Sequence, residues 1–525
     1  MDVDRVLGIE GTAWAASAAV FDVPEDDVTI YTEAYEPDSG GIHPREAAEH
    51  MAECLPAIVE QALEGAGDID AVAFSRGPGL GPCLRIAATA ARSVAQRRGI
   101  PLIGVNHMVA HLEIGRHRSG FEDPLCLNAS GANAHVLAYR NNRYRVLGET
   151  MDTGVGNAID KFTRHLGWSH PGGPKVEQRA REGEYVDLPY VVKGMDFSFA
   201  GLSSAAKAAV DDGVPVADVC RGLEETVFAM LTEVSERALS LTGAERLVVG
   251  GGVGQNDRLQ NMLRSMCNQR DAVCYVPEDR FLRDNAGMIA VLGAKMARVD
   301  DTLPIAESTI DADFRPDEVP VTWRADPGQM PPDSSSQDAV QGAEATVTIG
   351  NTVEKRRSPR EYRHPALDQR LRRERTRKEA RLLHDARIEG VPTPVLHDVD
   401  PHEGRLVMER VGVSELRDEL DPSRIGDVVR HLADLHHAGI VHGDPTTRNI
   451  RVGPERTYLI DFGLGYTSHD AEDHAMDLHV LRQSLAGTAT AADDLLPMII
   501  ETYREAGETT VIDRLTEIEG RGRYR

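Results

Sequence analysis

Leu247-Val248-Val249-Gly250-Gly251-Gly252-Val253-Gly254-Gln255-Asn256 is an apolar run that breaks into glycines and then meets a residue suited to start a helix. Leu247–Val249 reads as a buried strand, Gly250–Gly252 as a tight turn, and Asn256 as the cap of a helix reaching Cys267. Strand, glycine turn and helix in that order form the unit of an α/β layer. The unit recurs on either side. Val6–Glu10 precedes an alanine-rich stretch, Ala15–Phe21, whose composition predicts helix. Ala71–Ser75 leads to a helix over Leu84–Arg98, and Pro101–Val105 to a helix starting at Asn106.

This alternation continues to about Trp323, so residues 1–323 are expected to form one α/β domain. From Arg324 to Gln341 the composition turns to Asp, Pro, Ser and Gln, a linker signature. Alternation resumes at Ala345–Ile349, and residues 342–525 suffice for a second compact domain. No eighteen apolar residues run together, so no membrane helix is expected, and Met1–Arg5 lacks a signal-peptide pattern. Six cysteines without CxxC spacing suit buried thiols in a reducing cytoplasm. The net charge of −26 would repel phosphates, yet of 58 basic residues only seven are lysine. An acidic, lysine-poor surface is expected of a protein working in concentrated salt, where screening shortens electrostatic reach.

Within the first domain, Asn106-His107-Met108-Val109-Ala110-His111 places two imidazoles at i and i+4 on one helical face, at the carboxyl end of a strand. That spacing suits one metal ion. Met108 stands where a zinc protease would need its glutamate, which excludes that chemistry. Three glycine turns could cradle phosphates: Ser130-Gly131-Ala132-Asn133, Pro171-Gly172-Gly173-Pro174 before a helix carrying Lys175 and Glu177, and Gly250–Val253. Asp284 precedes a further helix. No residue marks itself as a general base; Glu10 is the one candidate.

In the second domain, His442-Gly443-Asp444 is followed, after four intervening residues, by Asn449, the HxD-x4-N spacing of a kinase catalytic loop. Twelve residues later comes Asp461-Phe462-Gly463. Asp444 would accept the substrate proton, with Asn449 and Asp461 holding Mg²⁺ on ATP. Lys355 at the end of a strand and Glu379 in a helix fit the pair that positions phosphates. The usual glycine-rich loop is replaced by Gly342-Ala343-Glu344-Ala345, and no Ala-Pro-Glu motif occurs in the 62 residues after Gly463.

Gly8–Thr12, Arg76–Leu80, the histidine pair, Gly154–Asp160, Pro171–Lys175, Gly250–Asn256 and Asp284–Ile289 together resemble one family over residues 1–323. It is the tRNA threonylcarbamoyladenosine-forming transferase of archaea and eukaryotes, the catalytic subunit of the KEOPS complex, once misnamed a sialoglycoprotein endopeptidase. The resemblance implies a two-lobed actin/sugar-kinase ATPase fold. It implies that His107, His111 and Asp284 ligate one divalent metal, ferrous iron or zinc. It also implies that threonylcarbamoyl-AMP lies against Asn128, Ala129, Ser130, Gly131, Ala132, Asp160, Gly173, Glu177 and Asn256. Asn128 stands where the family usually has tyrosine and Ala132 where it has glycine, which puts a fourth protein ligand in doubt. The implied reaction moves threonylcarbamoyl to the adenosine 3′ of the tRNA anticodon and releases AMP.

Residues 342–525 resemble the small RIO-like kinase of the same complex, carried by Tyr362–Pro365 and Arg375–Ala380. An α+β kinase-like fold follows, with ATP and Mg²⁺ bound by Gly342–Ala345, Lys355, Glu379, Asn449 and Asp461 and used in support of modification. The implied partners are tRNA and the other small KEOPS subunits, with no membrane. The alternative is a serine/threonine protein kinase with a nucleotide-sensing regulatory domain. Twelve Lys or Arg between Lys355 and Arg381, and the tail Arg521–Arg525, are expected to touch RNA.

Overall fold

The computed structural model describes residues 3–35, 43–131, 133–140, 142–324, 339–342, 344–488 and 492–521. Ala132, Ala343, most of the 324–341 linker and the end of the arginine tail lie outside them. Three strands open the chain as an antiparallel meander: β1 (Arg5–Glu10), β2 (Ala15–Asp22) and β3 (Asp27–Ala34). Then β4 (Ala71–Gly77) and β5 (Leu102–Asn106) add in parallel, giving the order β3-β2-β1-β4-β5. A second meander, β6 (Leu125–Ala129), β7 (Ala134–Arg140) and β8 (Arg143–Glu149), is likewise extended by two parallel strands, Arg246–Gly250 and Val273–Tyr275. Read outward from β8, the second sheet repeats the topology of the first. Two such α/β lobes are the actin-like architecture.

Ala15–Phe21 corrects the expectation of a helix. Ala16, Ala18 and Val20 face one core with Met51, Leu55 and Ala87, while Ala19 and Phe21 face another with Val105, Ile289 and Ala290. The alternation has period two, that of a strand covered by helices on both faces. Alanine here answers a demand for small residues between layers, and burial overrides its helix propensity. Gly8 obeys the same demand: an added Cβ would lie 2.3 Å from the carbonyl oxygen of Ala286.

The second core joins both sheets, since it also holds Cys126, Leu137, Tyr144 and Val248. On the far side of the second sheet pack the helices Val155–His165, Ala200–Asp211, Val216–Thr242 and Asp257–Asn268. Val216–Thr242 is buried almost throughout, including Glu224, Glu225, Glu233 and Glu236. Four buried carboxylates on one helix require partners: Asn256 and Arg258 serve Glu224 and Glu225, and the C-terminal part of the chain supplies arginines to Glu233 and Glu236.

That part begins with a five-stranded antiparallel sheet containing Thr346–Ile349, Thr352–Arg356 and Arg405–Glu409, with helix Pro365–Ile388 against it. A mostly helical region follows around Ile425, Leu432, Leu459, Leu478 and Tyr503. This is the α+β arrangement of a kinase-like domain. All six cysteines are free thiols, and among the described residues no helix is long and apolar enough to cross a membrane.

The basic run corrects a second expectation. Of its twelve cations, Lys355, Arg357, Arg360, Arg363 and Arg375 are buried. Arg363 lies 2.7 Å and Arg375 3.1 Å from Glu233, and Arg360 3.3 Å from Glu236, all across the junction between the two parts. Those arginines neutralise the buried helix and are closed to RNA; Arg356, Arg377, Lys378 and Arg381 remain exposed.

Candidate functional site

Asn106 ends β5 and caps the next helix, its side-chain oxygen accepting from the amides of Met108 and Val109 at 3.0 Å. That cap starts the helix so that His107 and His111 turn inward from its first turns. Their Nε2 atoms both lie 3.2 Å from Oδ1 of Asp284, and the three donor atoms fall within 4.8 Å of one another. Asn285, one residue on, caps the following helix by accepting from Met288 N, which leaves the Asp284 carboxylate to the histidines.

Neighbours fix each donor. Glu10 Oε2 is 3.0 Å from Nδ1 of His107, so that ring presents Nε2 to the cluster. The other oxygen of Glu10 accepts from the amide and hydroxyl of Thr12, at 2.8 and 2.6 Å. With both oxygens engaged and no exposed surface, Glu10 is a holder of His107 and is not placed to serve as the candidate base. Trp14 donates its indole N–H to Oδ2 of Asp284 at 2.9 Å, leaving Oδ1 for the imidazoles. Burial alone would lower the pKa of His107, yet Glu10 and Asp284 on either side raise it to about 10. The pocket therefore attracts a cation. Two imidazole nitrogens and a carboxylate oxygen facing one point fit a divalent first-row ion.

Parallel pairing sets Asn128 of β6 beside Gly250, so the turns leaving both strands emerge side by side at the carboxyl ends, where α/β proteins bind ligands. Gly251 has φ +82°, and an added Cβ would lie 2.2 Å from the carbonyl oxygen of Ala129. Asn128 is fully buried; its amide group lies 3.6 Å from the Met108 sulfur and its oxygen meets no donor among the described residues. Ser130 N and the Ser130 hydroxyl close a turn on Asn133 O, at 2.8 and 3.0 Å. Among the described residues, none outside the immediate chain neighbours comes within 4 Å of where a Cβ would stand on Gly131 or Gly173. Asp160 holds the second turn by accepting from Gly172 N at 2.8 Å. Asn256 is the cap the sequence predicts, and its amide donates to Glu224 at 3.2 Å. Glu224, on the buried helix, is pushed up to about 7 by burial, partly offset by Asn256 and reinforced by Glu177. Sequence reasoning missed it because nothing separates its Glu-Glu pair from surface charge.

The second cluster lines a cavity of ≈ 670 Å³ that includes Gly342, Glu344, Ala345, Lys355, Glu379, Asp444, Asn449 and Asp461. Lys355 Nζ is 2.8 Å from Glu379 and 2.6 Å from Asp461. Asn449 donates to Oδ2 of Asp444 at 3.0 Å. Asp477, which sequence reasoning also missed, accepts from the amides of His442 and Gly443 at 2.7 and 2.8 Å and so fixes the loop that carries Asp444. Only residues 464–470 separate Gly463 from the helix beginning at Ala471. Met195, Arg237, Ser240 and Leu241, all from the first part of the chain, line the same cavity. Arg237 lies 3.0 Å from Asp444 Oδ2 and also bonds Glu344. Burial raises Asp444 to about 7; Arg237 opposes that, Asp461 and Glu344 add to it, and Asn449 opposes it.

Residues 26–291 match the family model described as tRNA N6-adenosine threonylcarbamoyltransferase, and residues 348–483 match the RIO domain. A protein of Haloarcula marismortui named "Probable bifunctional tRNA threonylcarbamoyladenosine biosynthesis protein" is 66% identical over 546 residues, covering 99% of this chain and 100% of its own. One of the same name from Methanospirillum hungatei is 50% identical over 529 residues, covering 100% of each chain.

Proposed function

Because the chain belongs to the family of bifunctional tRNA threonylcarbamoyladenosine biosynthesis proteins, joining a transferase domain to a RIO kinase-like domain, we propose a division of labour between the two clusters. The first transfers threonylcarbamoyl from threonylcarbamoyl-AMP to the N6 amine of the adenosine 3′ of the anticodon. A bond forms between N6 and the carbamoyl carbon, the carbon–oxygen bond to phosphate breaks, AMP leaves with the electron pair, and one N6 proton passes to solvent. His107, His111 and Asp284 would hold a divalent ion, ferrous iron or zinc, and such an ion supplies Lewis acidity toward the threonylcarbamoyl oxygens. Glu10 and Trp14 aim two of these three ligands. The turns at Ser130–Gly131 and Gly172–Gly173 lack side chains that would keep a nucleotide away, and Asp160, Glu177 and Asn256 border them. Ala129 lies beside the first turn, and the tRNA anticodon loop, whose bases can be splayed out, is the acceptor.

The second cluster binds Mg·ATP and hydrolyses it in support of transfer, alongside the other small KEOPS subunits. Lys355, positioned by Glu379, meets the phosphates; Asn449 and Asp461 meet Mg²⁺; Asp444 takes a proton. Seven residues after Gly463 leave little platform for a protein substrate, and the transferase domain lines the cavity from one side, which disfavours the protein-kinase alternative.

The convergence of His107, His111 and Asp284 at a sheet end carries this reading. Incubating the protein and unmodified tRNA with threonylcarbamoyl-AMP, then digesting the tRNA for nucleoside mass analysis, tests it. N6-threonylcarbamoyladenosine is expected, and its formation stops when the protein is stripped of metal. Absence of the product with metal-replete protein and the other KEOPS subunits present overturns it.

A further inference from the structure

Arg237 belongs by sequence to the transferase domain and by position to the ATP site. Between three and four turns along its helix from Glu224, it is buried, with Nε 3.2 Å from Glu233, one Nη 3.0 Å from Asp444 Oδ2 and the other on Glu344. A guanidinium presents its donors in a fixed fork, so bonds in three directions define its place. Asp444 is therefore gripped on one side only. Oδ2 receives Arg237 and Asn449, both at 3.0 Å, while Oδ1, buried in the same cavity wall, meets no hydrogen-bond donor among the described residues.

A buried carboxylate oxygen without a donor is costly unless something arrives to fill it. In a cavity also lined by Lys355, Asn449 and Asp461, the group that would arrive is the acceptor of a phosphoryl transfer. We propose that Arg237 is a positioning residue for ATP hydrolysis, supplied across the domain junction: with Asn449 it pins one oxygen of Asp444 and leaves the other to take the proton of the attacking water. In the step it supports, the water oxygen bonds to the γ-phosphorus and the bond from that phosphorus to the β–γ bridging oxygen breaks. ADP leaves with the electron pair, and the water proton passes to Asp444 and then to solvent.

Electrostatics around Asp444 agree. Facing it are Arg237 from the long helix, Glu344 from the 342–345 turn, Asp461 beyond the last sheet strand, and Asn449 and His442 from its own loop. Burial lowers the His442 pKa, which favours its uncharged form. Burial, Asp461 and Glu344 raise the Asp444 carboxyl to about 7, and Arg237 is the strongest influence holding it from rising further. A proton acceptor working near neutrality needs its pKa there.

This inference rests on the reading of the second domain as an ATPase, and one experiment separates the two. Steady-state ATP hydrolysis by the full-length protein with Mg²⁺ is followed against pH for the unaltered chain and for Arg237→Gln, Arg237→Lys and Glu344→Gln. Metal content of the transferase domain serves as the check on folding. Because Asp444 must be ionised to accept, losing Arg237 moves the acid limb of kcat to higher pH by about one unit or more, a loss of about fivefold or more at pH 7. The deficit narrows as pH rises, and KM for ATP changes less than kcat. Arg237→Lys keeps the charge and retains the limb near its original place. Glu344→Gln removes an opposing carboxylate and moves the limb to lower pH, a reversal that mere loosening of the junction does not produce. An unmoved limb in Arg237→Gln, a deficit equal at every pH, or faster hydrolysis than the unaltered chain overturns the inference. If the unaltered chain hydrolyses no ATP at any pH, the ATPase reading itself falls.

Discussion

The histidine–aspartate cluster and the ATP cleft are built on different principles of supply. Every group at the first comes from one domain: His107 and His111 from one helix, Asp284 from the start of another, with Glu10 and Trp14 behind them on either side of the β1–β2 turn. The second takes part of its wall and the partner of its central carboxylate from a helix of the other domain. A self-contained site tolerates disturbance at the junction. A shared site converts docking into chemistry, and the dependence runs in one direction only.

Four outcomes would sharpen or break that contrast. The largest effect belongs to the ligands: His107→Ala and Asp284→Ala should each lose transfer by about a thousandfold or more, the several kcal/mol a Lewis acid supplies, while ATP hydrolysis stays normal. Full transfer with metal content unchanged would break the assignment of the first cluster. Next, Lys355→Ala and Asp444→Ala should lower ATP hydrolysis by about 10²–10⁴-fold and leave binding of an adenylate analogue to the transferase domain intact. Asn256→Ala should do the reverse, and equal loss of affinity in both sets of variants contradicts two separate sites.

Glu233→Ala addresses the sharing directly. It removes the carboxylate shared by the buried Arg237, Arg363 and Arg375, at about 3–5 kcal/mol of unfolding free energy, and should depress ATP hydrolysis without releasing metal. If metal is lost as readily as hydrolysis, the first cluster is not self-contained. The smallest change is Trp14→Phe, which deletes one hydrogen bond to Asp284 and should weaken metal binding by about tenfold with hydrolysis untouched. Unchanged metal affinity would show that Asp284 needs no such support.

Much of this was legible in the residue order, where spacing is local. The Asn106 cap fixes the two histidines within one helix, and HxD-x4-N with its following Asp461 fixes a loop and the strand beside it. What failed was long-range. Arg237 and Asp444 are separated by 207 positions, and nothing near Arg237 distinguishes it from any other arginine on a helix. The run from Lys355 to Arg381 reads as an RNA-binding face until the buried carboxylates of Glu233 and Glu236 appear opposite it. Ala15–Phe21 reads as helix because alanine favours helices, and only the layers on both sides of β2 make small residues a strand requirement.

The repeated sheet order separates scaffold from chemistry. Each lobe runs a three-strand meander and then two parallel additions, so the two frames are interchangeable in outline. Their loops are not: the first lobe carries the imidazoles beyond its fifth strand, and the second carries glycine turns beyond its first and fourth. One strand order thus serves two trades, and what tells the halves apart is written past the strand ends.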